Sequence, residues 1–152
     1  MKLLPIPPPN RLLLRLYGRG LGRLLGRLIL LLTTTGRKSG KPHVTPLQYE
    51  EIDGVLYIGA ARGQQADWFR NIVANPHVSV QVKSRRFRGV AEPITDPARI
   101  ADFLVLRLQR HPKMVGAILR IAGLPSKPTR AQLEEYASHR AMAVIRPEEE
   151  TR

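Results

Sequence analysis

Two short loops hold the residues best suited to chemistry. The first is Gly36-Arg37-Lys38-Ser39-Gly40-Lys41, set between the strand-like runs 28–35 and 44–51. It brings together three cations, a hydroxyl, and the free backbone N–H groups of a tight turn bounded by two glycines. An anionic group, a phosphate above all, binds to that combination. It is not a P-loop, because it lacks the wider glycine spacing and leads into a strand instead of a helix. The second is Gly59-Ala60-Ala61-Arg62-Gly63, between a strand and a helix that starts near Asp67. Its small side chains let a ligand approach the backbone, and a helix start beside Arg62 favours an anion. Either loop alone is more often a solvated turn or a plain connection. Two basic, glycine-containing loops in adjacent hairpins favour an anion site.

Other candidates carry more ordinary readings. His43 lies between loop and strand and suits a phosphate or solvent contact. Trp68, the single tryptophan, reads as core before it reads as a stacking platform. Asn71, Asn75 and Pro76 read as helix-end residues. Tyr49, Tyr57 and Tyr136 can donate a hydroxyl, although strand tyrosines usually pack half-buried. There is no Ser/His/Asp constellation and no evident carboxylate pair. The four histidines have no ligand spacing, and the chain has no cysteine. A metal site is therefore not expected, and a reducing, cytoplasmic setting is. If the chain is an enzyme, a bound cofactor supplies the chemistry.

The elements that must position these loops follow from periodicity. Residues 28–35, 44–51, 55–59, 78–82 and 87–94 read as strands, with turns at Asp53-Gly54 and at 84–86. Asp67–Ala74 reads as a helix with Trp68, Ile72 and Phe69 inward, stopped by Asn75-Pro76. Asp96-Pro97 opens a helix to about Arg110, Pro112 restarts it to Gly123, and Thr129 caps another to about His139. A last strand follows at 141–146. Successive meanders with helices added behind them make an α+β chain built on a small antiparallel barrel.

The 152 residues suit one domain, with 25 Lys and Arg against 12 Asp and Glu and a net charge of +13. Nine of the basic residues precede Glu50, the first carboxylate. Residues 1–27 read as a proline-rich arm followed by a basic amphipathic helix with arginine at 11, 15, 19, 23 and 27. That helix suits either an anionic membrane surface or packing on the domain by its leucines. No uncharged run is long enough to span a membrane, and no signal peptide is read. The domain itself runs over 28–147, with a frayed acidic tail at 148–152. A nucleic-acid partner is not expected, because the basic stretches lack interleaved aromatics.

The run TTTGRKSGKPHVTPL, the loop GAARG and the segment DWFRNIVANPHVSVQV resemble the deazaflavin-dependent nitroreductase family, which includes quinone and enone reductases. The resemblance covers about residues 28–95. It implies a split β-barrel (antiparallel, FMN-binding-like) with peripheral helices, and a bound 8-hydroxy-5-deazaflavin (coenzyme F420) carrying a phosphate and an oligoglutamate tail. It implies hydride transfer to a small lipophilic acceptor such as a quinone or enone. Carried across residue by residue, Arg37, Lys38, Ser39 and Gly40 lie against the phosphate and tail, and His43 stands where relatives have arginine. Thr45 and Pro46 face the ring. Ala61, Arg62 and Gly63 match a phosphate-wrapping Ser-Lys-Gly loop, with Ala61 in place of serine. Trp68 and Asn71 match the helix beside the ring, and Tyr136 is the nearest equivalent of a proton-donating tyrosine. Other split-barrel proteins bind flavin mononucleotide (FMN), haem or fatty acids, so FMN is the alternative cofactor and a non-catalytic binding protein the alternative function. A homodimer is compatible with this reading.

Overall fold

The computed structural model describes residues 29–60 and 62–148; the proline-rich arm, the basic amphipathic segment and Ala61 lie outside the described residues. Six strands close into an antiparallel barrel: β1 (Ile29–Thr35), β2 (Pro42–Ile52), β3 (Val55–Ala60), β4 (His77–Val82), β5 (Arg85–Ile94) and β6 (Ala141–Pro147). Their order around the barrel is β1-β2-β3-β6-β5-β4, with β4 returning to pair with β1. Among the described residues four α-helices are added: α1 (Asp67–Ala74), α2 (Pro97–Arg110), α3 (Pro112–Ile121) and α4 (Arg130–Ala137).

Local chemistry accounts for most boundaries. Asp53 and Gly54 both adopt positive φ, as the tight hairpin between β2 and β3 requires. The β4–β5 turn is Lys83-Ser84, with Lys83 at φ 56, and β5 begins at Arg85. The turn expected at 84–86 thus starts one residue earlier and ends two residues earlier. Asp96 caps α2 by accepting from the Ala98 N–H, with Pro97 in the first turn. Thr129 and Gln132 form a reciprocal capping box on α4.

Two apolar clusters meet at the barrel wall. Inside, Leu30, Leu32, Ile58, Val80 and Val82 pack with Trp68, Phe69 and Ile72 of α1. Outside, Met142 and Val144 of β6 pack against Ile100 and Phe103 of α2, Val115 and Leu119 of α3 and Leu133 of α4. Strand β6 thus has core on both faces. This is why residues 141–145 form an unbroken apolar run where β4 alternates.

The tail is less loose than expected at its first residue. The Glu148 N–H donates to the Arg88 carbonyl, and its carboxylate lies 3.3 Å from His77 Nδ1. Nearby, Glu92 accepts from Arg99 at 2.8 Å and from Arg146 at 2.9 Å, tying β5 to α2 and β6. Those two guanidiniums hold its carboxyl at about 2 against an ordinary 4.5. The stabilisation is therefore complete above about pH 4.5 and is lost as pH falls toward 2. Glu92→Gln is expected to flatten this acid limb of an unfolding titration. Because the carboxylate is 39% exposed, the cost at neutral pH is no more than about 1 kcal/mol.

Candidate functional site

A cavity of about 940 Å³ opens between the barrel wall and the helices. Its floor is residues 43–48 of β2 together with Gly59, Ala60, Ala141 and Met142. The short side chains at 59, 60 and 141 keep this floor shallow, so a flat ring can lie against the backbone. One side is apolar, made by Ile100, Phe103 and Leu104 of α2 and Val115, Ile118 and Leu119 of α3. The other holds Arg62, the start of α1 from Ala66 to Trp68, Tyr136 and Arg140. Ala66 supplies no side-chain cap to α1, and the first turn of that helix, which carries the acidic Asp67, borders the cavity.

Of the residues singled out from the sequence, His43, Thr45, Pro46, Arg62, Trp68 and Tyr136 line this cavity. Trp68 is also 5% exposed, so it serves core and cavity wall together. The remaining residues stand behind or beside the cavity. Lys38, Ser39 and Gly40 form an exposed turn, in which the Ser39 hydroxyl accepts from the Lys41 N–H at 3.1 Å and Gly40 takes φ 70. Arg37 is already engaged: its guanidinium pairs with Asp67 at 3.2 Å and donates to Asn71 Oδ1 at 2.9 Å. Asn71 is 1% exposed and does not line the cavity. Its Oδ1 also accepts from the Arg37 backbone N–H at 3.2 Å, and its Nδ2 donates to Thr34 Oγ1 at 3.1 Å. It is a bracket behind the basic loop, neither a helix-end residue nor a contact on the cavity side. Gly63 is buried behind Arg62, against the turn that precedes β6.

Two cavity cations were not singled out from the sequence. The Arg140 guanidinium stacks 4.3 Å over the Tyr136 ring, and Arg107 enters from α2. The signal for Arg107 was a cation one turn beyond Phe103, on a helix otherwise read by its leucines. A cation 4.3 Å over a tyrosine face orients both groups.

The geometry is therefore a roomy, half-apolar cavity with a cationic side, on a closed antiparallel barrel. The sequence profile described as F420H(2)-dependent quinone reductase matches residues 11–113. The chain belongs to the F420H(2)-dependent quinone reductase family. Among curated relatives, an F420H(2)-dependent quinone reductase of Mycobacterium tuberculosis strain H37Rv is 37% identical over 68 residues. That match covers 43% of this chain and 46% of the relative, so the aligned region spans about half the length of each. A solved F420-H2 dependent reductase is similar in structure with a TM-score of 0.53 at 25% identity, over 78% of this chain and 94% of that one. The haem storage protein HutZ of Vibrio cholerae shares the fold at 16% identity, with a TM-score of 0.55 over 82% of this chain and 84% of that one. The split barrel with peripheral helices expected from the sequence is the fold of this family member.

Proposed function

We propose that this family member is a reductase that transfers a hydride from a reduced deazaflavin to an electron-poor, lipophilic acceptor such as a quinone or an enone. The observation that carries this reading is the two-sided cavity: Arg62, Arg140 and the start of α1 on one side, aliphatic and aromatic side chains on the other. The donor set fits a flat, polyanionic cofactor. Arg62, Arg140 and His43 would hold its phosphate and acidic tail, while the Thr45–Pro46 segment and Trp68 would flank its ring. The bound cofactor supplies the two electrons and the hydride. The protein positions it, excludes water with α2 and α3, and offers the Tyr136 hydroxyl as a proton source.

The acceptor would enter past α3, where Ile118 and Ile121 line the cavity and are 43% and 88% exposed. That suits an apolar substrate delivered from a lipid surface. No helix among the described residues is long and apolar enough to cross a membrane. Binding of the purified chain to anionic vesicles would test surface residence, and light scattering would test a homodimer.

The deciding test is a fluorescence titration of purified protein with the deazaflavin cofactor and, in parallel, with FMN. Tight deazaflavin binding, with oxidation of the reduced form by menadione, is the expected result. Preference for FMN, or binding of neither, would overturn the reading. Within it, Lys38→Ala should weaken cofactor binding several-fold, less so in high salt, with an unchanged unfolding midpoint, because an exposed loop cation acts through screened charge. Arg37→Ala should lower both affinity and stability, because Arg37 also ties the loop to α1. Equal affinity losses with no stability change in either variant would refute that division of labour.

A further inference from the structure

Strand β2 and helix α2 meet at a buried carboxylate. Glu50 is 5% exposed, and it lies 2.9 Å from Arg110 Nη1, 3.0 Å from His111 Nε2 and 3.6 Å from Arg107 Nε. One carboxylate thus faces two permanent cations, and the pair is not neutralised. The neighbouring Glu51 directs its carboxylate to Arg85 instead, and on the helix side no Asp or Glu occurs between Asp102 and Glu134. Arg107 carries the unspent capacity. Its side chain is 15% exposed, its Nη2 donates to Gln48 Oε1 at 3.0 Å, and its buried Nε is turned to Glu50 Oε1 at 3.6 Å, so the remaining Nη donors are the ones left for a ligand. A guanidinium has five N–H donors. The same side chain lines the cavity on its apolar side, with Cζ 6.0 Å from the Phe103 ring centroid. Gln48, which orients it, stands five residues along β2 from His43, about 16 Å in extended chain. A half-buried cation with spare donors in an apolar wall is well placed to bind an oxygen that becomes negative, because a charge-assisted hydrogen bond strengthens where water is partly excluded.

We propose that Arg107 is the acceptor-recognition residue. It donates to the carbonyl oxygen of an acceptor whose apolar body lies against Phe103, Leu104 and Val115, and it stabilises the charge that oxygen gains. This rests on the reductase reading above. When the conjugated carbon takes up hydride, a C–H bond forms, the π pair moves onto oxygen, and the hydride donor is oxidised. The resulting oxyanion pairs with Arg107 until a proton arrives from solvent or Tyr136. Glu50, Arg110 and Gln48 are positioning residues that act through Arg107.

The test uses the full-length chain and calorimetric titration with 2-naphthoate and its neutral isostere 2-naphthamide. The wild type is expected to prefer the carboxylate by about ten-fold or more, the size of one hydrogen bond to a charged group. Arg107→Met should abolish that preference, Arg107→Lys should retain part of it, and Lys113→Met, at an exposed cation outside the cavity lining, should leave it intact. A preference that survives Arg107→Met, disappears in Lys113→Met, or is absent from the wild type would overturn the proposal. A purely structural role for Arg107 would move the thermal midpoint without moving this ratio. With menadione and saturating reduced deazaflavin, Arg107→Met should lower kcat/KM by about 10²-fold while the cofactor dissociation constant stays within two-fold. A matching loss of cofactor affinity would instead assign Arg107 to the cofactor. If the wild type binds no deazaflavin, the reductase reading fails on its own, and the naphthoate ratio still decides whether Arg107 is an anion site.

Discussion

Replacing Asn71 with alanine is expected to cost about 3 kcal/mol of stability and to release the basic loop from the barrel. Asn71 is 1% exposed and joins three pieces of chain: Thr34 at the end of β1, Arg37 at the start of the loop, and α1 itself. Truncation strands the Arg37 backbone N–H and the Thr34 hydroxyl, with Thr34 only 1% exposed. Stranding a buried polar group costs about 1–3 kcal/mol, and the bond to a charged donor adds to that. With a urea slope of about 2 kcal/mol/M for a chain of this size, the unfolding midpoint should fall by about 1.5 M. Asn71→Asp keeps the acceptor for Arg37 and loses the donor to Thr34, so it should recover part of the loss. Cofactor affinity should fall in the alanine variant below the unfolding transition, because Arg37 is then held only by Asp67. A midpoint within 0.3 M of wild type would show that the bracket contributes little and that the loop is ordered by its own turn bonds alone.

How far the sequence foretold this arrangement depended on whether a residue's partners were local. The strands of β4 could be read because Val78, Val80 and Val82 alternate with polar residues, and the helix starts because Asp96-Pro97 and Thr129 carry their caps with them. The insertion of β6 between β3 and β5, and the closure of β4 on β1, have no local signal, since they pair segments far apart in the chain. The same divide runs through the site. The loop at 36–41 was legible as basic, but charge says nothing about direction, and the structure leaves Lys38 at an exposed tip while Arg37 turns back to Asp67. Asn71 read as a helix end because Asn75 and Pro76 follow it, whereas its partners lie 34 and 37 residues upstream. Arg107 was hidden among Leu104, Leu106 and Leu108. Only the pairing of α2 with β2 reveals that it faces Glu50 and the cavity. The family resemblance reached about residue 95, so it could not supply Arg107 or Arg140.

Gly63→Ala should also cost about 3 kcal/mol, and here the loss concentrates on the cavity. Gly63 has φ 60, a conformation that costs a residue with a side chain about 1 kcal/mol or more. A Cβ at this position would also sit 2.9 Å from the His139 carbonyl oxygen and 3.8 Å from the Arg140 Cα. The obstacle is backbone, not a side chain that can rotate away, so the turn before β6 must shift at a further cost of about 1–3 kcal/mol. That turn carries Arg140, and Gly63 adjoins Arg62, so the contact that brings these two cations to one side of the cavity is the contact that alanine disrupts. The variant should therefore lose cofactor affinity at temperatures where it is still folded. Gly116→Ala is the matched control. Gly116 lies within α3, nothing stands within 4 Å of its added Cβ, and alanine there should stabilise the protein by about 0.5–1 kcal/mol through helix propensity. Chemical denaturation and a cofactor titration of both variants separate the outcomes. If Gly63→Ala is destabilised but binds cofactor as the wild type does, the close packing of the two turns serves folding alone, and Arg62 and Arg140 do not act on a shared anion.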